Sequence, residues 1–437
     1  MRPAPAHKIR PVRGEGPAVG RSLAVVHANE LLTLRGPPSP RSREAASALG
    51  IIEDGALYIE GDRIVDVGAT EEVLQRHPHA NTTLDASGKV VLPGFVDAHT
   101  HTVFAGSRER ELEWKAEGLS YAEIAERGGG ILHTVQATRD ASEDDLARVA
   151  LARLLTFVAF GTTTVEVKSG YGLRTADELK MLKAAREAGR TAGVDVVPTF
   201  LGAHAIPAEF RGQADAYVDL LISESLPAVT LAGLATFCDA FVDEGYFTIA
   251  QGRRLLEKAS SMGLRSKLHV DELADTGGAA LAAELHAVSA DHLLHTSDAG
   301  VEALARAGTI AVLLPATSLT SRTTYVDGRR LLAAGVPVAL GTDFNPNCWC
   351  ESMQLVLALA CHHNGLLPAQ AITASTINAA HAVGRGDDVG SLERGKLADL
   401  VVLDAPTYRH LGYRIGGNMA EAVVKRGRIR RGRELTR

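Results

Sequence analysis

Cysteine is scarce in this chain. Four residues (Cys238, Cys348, Cys350 and Cys361) among 437 are too few for a disulfide scaffold and read as the reduced thiols of an intracellular protein. An excess of positive charge is missing too: Lys and Arg total 46 against 52 Asp and Glu, a formal net charge of −6. Without a basic field to gather phosphates or anionic lipid, nucleic acid is not an expected partner. No apolar run reaches the ~20 residues of a membrane span. Stretches such as Leu151–Phe160 are broken by charge or glycine, and Met1–Gly20 lacks the apolar centre of a signal peptide. The expected location is the cytoplasm, with no membrane association.

What is present is 46% hydrophobic and 22% charged residues, ample for a large buried core. Length alone suggests about three domains, but a (β/α)8 barrel takes ~250 residues, so one large domain with a small companion fits equally well. Residues 1–21 are rich in Pro, Gly and Arg without apolar periodicity and read as a disordered tail; Gly36–Arg43 (GPPSPRSR) reads as a loop. From Ser22 to Val91, short pieces (SLAVVHA, GALYIEGDRIVDVGA, GKVVLP) alternate with turns as in antiparallel β structure, and the C-terminal LADLVVLDA and MAEAVVKRGRIRR do the same. Residues 22–91 and 388–437 are therefore expected to form one composite β-sandwich domain, with a barrel at 92–387 between them.

In the central region, apolar β runs alternate with helices that begin at Ser or Thr and stop at Gly: Ser142 to Gly161, Thr175 to Gly193, Thr248 to Gly263, Ser297 to Gly308. Eight strands are predicted: Phe95–His101, Thr162–Lys168, Val194–Leu201, Phe237–Val242, Ser266–Val270, Val288–Leu293, Thr309–Leu314 and Val336–Gly341. That count of strand–helix units matches a closed parallel (β/α)8 TIM barrel better than an open doubly wound sheet. No Gly-rich phosphate loop follows any of them.

Sixteen histidines carry the chemical signal, because several stand at strand ends. In GFVDAHTH, Asp97, His99 and His101 alternate along an extended segment, and two steps of ~3.3 Å put both imidazoles on one face. Taken singly, an HxH is a half-buried strand end, Glu272 a helix N-terminal acid, His204 or His292 a bonded core histidine, and Asp343 a turn cap. Jointly they are harder to dismiss. His204, His269 (KLHVDE), His292 (SADHLL) and Asp343 (ALGTDFNP) all stand at the C-terminal ends of predicted strands, and in a parallel barrel those ends share one mouth.

Three imidazoles and one carboxylate, His99, His101, His269 and Asp343, suit a borderline ion, Zn²⁺ first, with iron or Mn²⁺ compatible. Such a site with an open position lowers the pKa of a bound water towards ~7, which makes hydrolysis the expected reaction class. Glu272, three residues after His269 in HVDE, is placed to alternate between acid and base, and His292 to orient water or stabilise an oxyanion. Which of the two abstracts the proton is left open. His362-His363 and Cys348-x-Cys350 are read as structural, because a helix directs neighbouring histidines apart and the CxC has no second pair.

PGFVDAHTH with the distal HVDE and GTD resembles the amidohydrolase superfamily of metal-dependent barrel hydrolases. HTHTVFAGSRERELE, YAEIAERGGGILHTVQATRDASEDDL, EVKSGYGL, FLGAHAIPAEFRG, VDEGYFT, LHVDEL, SADHLLHT and LLPATSL together resemble the imidazolonepropionase family within it, from about residue 22 to the C-terminus. The resemblance implies hydrolysis of the lactam C–N bond of 4-imidazolone-5-propanoate to N-formimino-L-glutamate, a step of histidine degradation. It implies one metal ion on His99, His101, His269 and Asp343, with Glu272 and His292 as acid–base pair. It also implies substrate contacts at Arg108, Tyr171, His204 and Asn345, the guanidinium clamping the propionate.

Where the family continues its aspartate motif as Asn-Pro-Gly-Ser/Thr, this chain has Asn345-Pro346-Asn347-Cys348. Asn347 and Cys348 are thus expected at the substrate through backbone N–H groups, with Asn347 keeping a positive-φ turn and Cys348 otherwise a small packing residue. Lys168 is expected to be a structural or substrate-facing ammonium rather than a bridge between two metals. A homodimer is expected from the resemblance and the prevalence of two-fold assemblies. The rivals are a cyclic-amidine deaminase of the cytosine or guanine type, whose neutral substrate needs no carboxylate clamp, and a non-catalytic barrel scaffold, disfavoured because no ligand position is substituted.

Overall fold

The structure, a computed structural model, describes residues 21–119, 123–124 and 127–431. The expected tail at 1–21 falls outside them except for Arg21. Eight parallel strands form the central sheet: β1 (Phe95–Asp97), β2 (Thr162–Lys168), β3 (Asp195–Ala203), β4 (Phe237–Val242), β5 (Arg265–Val270), β6 (Ser289–His292), β7 (Ile310–Leu313) and β8 (Val338–Leu340). Each bonds to its neighbour in sequence. Around the closure, Asp343 N–H donates to the His99 carbonyl at 3.0 Å and Thr100 bridges Phe344. All eight predicted strands are present. The first is shorter than its sequence suggests, because Asp97 turns its side chain to staple the end of β8, accepting from Thr342 N–H at 2.9 Å and its hydroxyl at 2.6 Å. The His-Thr-His segment consequently lies beyond the strand, at the barrel mouth.

The helix signals are realised in the caps. Ser142 and Ser297 accept from the backbone three residues on, and Thr248 forms a reciprocal capping box with Gln251. Gly193 and Gly308 close their helices in the left-handed conformation, φ 67° and 72°. Thr175 is the first helical residue, with Arg174 at the cap.

Strands from both ends of the chain join in a second, eight-stranded sheet. Val90–Pro93 pairs antiparallel with Leu400–Leu403, which ties the termini together. The strands enclose a core of their own, including Leu23, Leu57, Ile59, Leu400 and Val424. The pairing is mixed rather than purely antiparallel: Ser22–Leu32 runs parallel to Thr82–Asp85 and to Val90–Pro93. The helix Thr70–Arg76 supplies the crossover such pairs require, where a hairpin would give the antiparallel form. Among the described residues no helix is long and apolar enough to cross a membrane.

Candidate metal centre and active site

The barrel interior below the mouth is charged. Glu166, Lys168, Asp239, Lys267 and Asp291 have no solvent exposure, and such charges survive burial only when paired. Lys168 Nζ donates to Glu166 at 2.8 Å and to Asp239 at 2.7 Å and lies 3.5 Å from Asp291. It is thus the structural ammonium of the two roles foreseen for it. Lys267 Nζ donates to the Ala98 carbonyl at 3.0 Å, just ahead of the first histidine.

This layer orients the histidines above it. Asp291 Oδ2 sits 2.7 Å from His99 Nδ1, so that nitrogen carries the proton and Nε2 presents its lone pair. Asp239 lies 3.0 Å from His269 Nδ1 in the same relation. His99 Nε2 and His101 Nε2 face each other at 3.3 Å, and each is 3.5 Å from Asp343 Oδ1. The ring of His269 is centred 4.5 Å from that of His99. The ligating atoms of His99, His101 and His269 all lie within 4.8 Å of one another, as do those of His99, His292 and Asp343. Burial, before any charge effect, pushes His99, His101 and His292 well below the usual histidine range. They are neutral donors at physiological pH.

The donor set fits a cation. His269 Nε2 is buried without a hydrogen-bond partner, a cost that coordination removes. The second oxygen of Asp343 accepts from Thr317 at 2.5 Å, and Asn345 Nδ2 donates to the first at 3.1 Å, fixing the carboxylate. Positive φ at Asp271 (51°), His292 (77°), Leu293 (64°) and Asp343 (48°) gathers backbone strain at these strand ends, where function commonly stores it. Neither His362-His363 nor Cys348-x-Cys350 joins a metal-competent group among the described residues.

A cavity of 760 Å³ opens over the cluster, lined by His101, His269, Asp343, Glu272, His292, Tyr171, His204, Asn345, Asn347, Arg108 and Lys115. His99 lies beneath it, fully buried. Glu272 Oε1 is 3.6 Å from His292 Nδ1. Burial, then the carboxylates of Asp343 and Asp243, raise Glu272 to about 8, so it holds its proton at neutral pH until a cation is near. His204 Nδ1 is 3.0 Å from the Gly170 carbonyl, which can only accept. Its Nε2 is therefore an acceptor, and burial with His269 close by lowers the group to about 3.

Arg108 grips Glu111 with both Nε and one terminal nitrogen at 2.7 Å each, at the head of the helix Arg110–Ala116. In the aspartate motif, Asn345 Oδ1 accepts from the N–H groups of Asn347 at 2.8 Å and Cys348 at 3.0 Å. Those N–H groups are turned inward onto Asn345 rather than toward a ligand. Asn347 lacks the positive φ expected of it, because this side-chain cap makes the turn without a left-handed residue. Its side chain reaches the cavity; that of Cys348 does not, being fully buried with Sγ 3.8 Å from the Thr342 carbonyl.

Four contributors escaped the sequence reading: Asp239, Asp291, Thr317 and Lys115. For the two aspartates a signal existed, since FCDAFV and SADHLL each place a carboxylate inside an apolar strand, where an unpaired charge is costly. Thr317 carried none.

The chain matches the amidohydrolase family over residues 90–430 and an imidazolonepropionase-like composite domain of bacteria over residues 55–80. It is 51% identical over 412 residues to the imidazolonepropionase of Symbiobacterium thermophilum, across 93% of this chain and 96% of that protein. To the imidazolonepropionase of Geobacillus kaustophilus it is 49% identical over 414 residues, across 94% and 98%. Among solved structures, a zinc-bound adenosine deaminase from Xanthomonas campestris superposes with a TM-score of 0.69 at 19% identity, over 94% of this chain and 93% of that one. A triazine hydrolase variant gives 0.71 at 19%, over 95% and 97%. At that identity the likeness is one of fold. The chain belongs to the imidazolonepropionase family of the metal-dependent amidohydrolases.

Proposed function

We propose that this protein opens the ring of 4-imidazolone-5-propanoate by hydrolysis of its lactam C–N bond, giving N-formimino-L-glutamate, in histidine degradation. The observation that carries the reading is the convergence of His99, His101, His269 and Asp343 with Glu272 at one cavity whose lining also holds cationic side chains. A single ion, Zn²⁺ or iron with Mn²⁺ also compatible, is assigned to those four ligands and supplies Lewis-acid activation of water when bound.

The chain's own groups do the rest. Water oxygen bonds to the lactam carbon, the C–N bond breaks, and the departing ring nitrogen takes up a proton. Glu272 accepts the proton from water and returns it to that nitrogen, a task suited to a carboxyl whose pKa shifts with nearby charge. His292, neutral and within 3.6 Å of Glu272, positions the water or donates to the developing oxyanion. His204 offers Nε2 as acceptor to a ring N–H, Tyr171 offers its phenol to the ring, and Arg108 and Asn345 face the remainder of the substrate. Cys348 contributes packing.

A deaminase acting on a neutral cyclic amidine would leave the cationic lining without purpose, and a scaffold would not need aligned imidazole lone pairs. The assay follows the ultraviolet band of the imidazolone ring: loss of the band in the metal-loaded protein, abolished by chelator and restored by metal, is expected. A persistent band with full metal loading sinks the proposal. A homodimer in the cytoplasm belongs to the same reading; light scattering on the purified protein tests the dimer.

A further inference from the structure

The cavity's cationic lining is not electrically uniform. Arg108 is closed on Glu111 through two hydrogen bonds of 2.7 Å, and Glu111 Oε1 is further occupied by Gly130 N–H at 2.7 Å. The two opposite charges cancel locally. Lys115, one turn along the same helix, is half-buried and donates at 2.6 Å to a neutral acceptor, the amide oxygen of Asn347. Among the described residues no carboxylate lies within ion-pair distance of its ammonium. Burial lowers its pKa most; Glu111, one turn back, partly offsets that, and Arg108 and Arg322 disfavour its charge further. A semi-buried ammonium resting on an amide, beside further cations in a ligand cavity, is an anion site awaiting its anion.

We infer that Lys115 is the principal electrostatic partner of the substrate's propionate carboxylate, with Asn347 Oδ1 holding its ammonium in place until that carboxylate arrives. This rests on the proposed substrate and deepens it: Arg108 supplies geometry from a pair closed on Glu111, whereas Lys115, hydrogen-bonded to an amide and not to a carboxylate, supplies the charge that the substrate meets. Asn347 then has a role that follows from this chain's own motif, where the family has Gly. A glycine there has no side chain to seat the ammonium.

The test uses the full-length, metal-loaded protein and two readouts. In steady-state kinetics on 4-imidazolone-5-propanoate, Lys115→Met raises KM by about tenfold or more with kcat little changed, and Lys115→Arg recovers most of the loss. Asn347→Asp, which puts a carboxylate on the ammonium, raises KM in the same way. In calorimetry, 3-(imidazol-4-yl)propanoate binds the unsubstituted protein about tenfold or more tighter than its neutral amide. Lys115→Met erases that preference and Lys115→Arg keeps it. Unchanged metal content and thermal midpoint show that the variants are folded. The inference is overturned if Lys115→Met keeps both KM and the carboxylate preference. If the unsubstituted protein prefers the carboxylate through Lys115 yet leaves the imidazolone ring intact, the catalytic reading fails while the assignment of Lys115 stands.

Discussion

Replacing Glu272 by Gln separates its catalytic role from its cost to the fold. In the metal-free protein this carboxyl is raised from its ordinary 4.5 to about 8 by burial and by Asp343 and Asp243, and its side chain is only 21% exposed. Because the folded pKa lies above the unfolded one, the folded state retains the proton through that interval, and stability falls as pH rises across it. At ~1.36 kcal/mol per unit, ionising Glu272 costs about 3 kcal/mol at pH 7 and about 5 kcal/mol above pH 8. Gln keeps the shape and never ionises. The metal-free Glu272→Gln protein is thus expected to match the unsubstituted one near pH 5 and to exceed it increasingly towards pH 9, read as urea midpoints. Metal narrows the gap, since a cation stabilises the carboxylate. Turnover of the loaded variant falls by about 10²–10⁴. A stability gap that ignores pH, or a variant retaining more than about a tenth of the turnover, refutes the argument.

Other expectations follow from the layer beneath the metal ligands. Asp291→Ala removes the acceptor that fixes the His99 tautomer and should weaken metal affinity by about 10–100-fold, measured by competition with a chromophoric chelator. Affinity equal to that of the unsubstituted protein contradicts this role. Lys168→Met leaves Glu166, Asp239 and Asp291 without their shared counter-ion and should destabilise by about 3–5 kcal/mol in denaturant titration; a loss below about 1 kcal/mol means the charges are compensated elsewhere. Arg108→Ala frees Glu111 to face the cavity and should raise KM for the propionate-bearing substrate, while an unchanged KM would favour a neutral substrate.

The fold was legible because its signals are local and repeated. A helix capped by Ser142, Thr248 or Ser297 and closed by a glycine, set between apolar runs, needs no knowledge of the rest of the chain, and eight apolar runs alternating with helices leave few alternatives to a barrel. The mixed pairing of the terminal sheet was not legible. Whether Ser22–Leu32 meets Thr82–Asp85 as a parallel or antiparallel neighbour depends on where a short helix carries the chain, and a strand's own residues hold no record of it. The ligands were readable for a related reason: His99, His101, His269 and Asp343 each stand at or just beyond the C-terminal end of a strand, so topology alone brings them to one rim.

The residues that control those ligands obey a different logic. Asp239 and Asp291 make no visible pattern with His269 and His99, because each aspartate serves a histidine of another strand–loop unit, a neighbouring strand for Asp239 and the far side of the sheet order for Asp291. Each is legible only as a violation, a charge in an apolar strand. The aspartate motif shows the converse error. Asn347 looked like a substitute for a glycine conformation, yet the turn is made by Asn345 through its side-chain oxygen, so the position was released from backbone duty and its side chain became available to Lys115. A departure from a family pattern therefore does not by itself weaken a site. Here it moves the constraint from φ at one residue to a hydrogen bond at another and places a polar atom where the pattern has none.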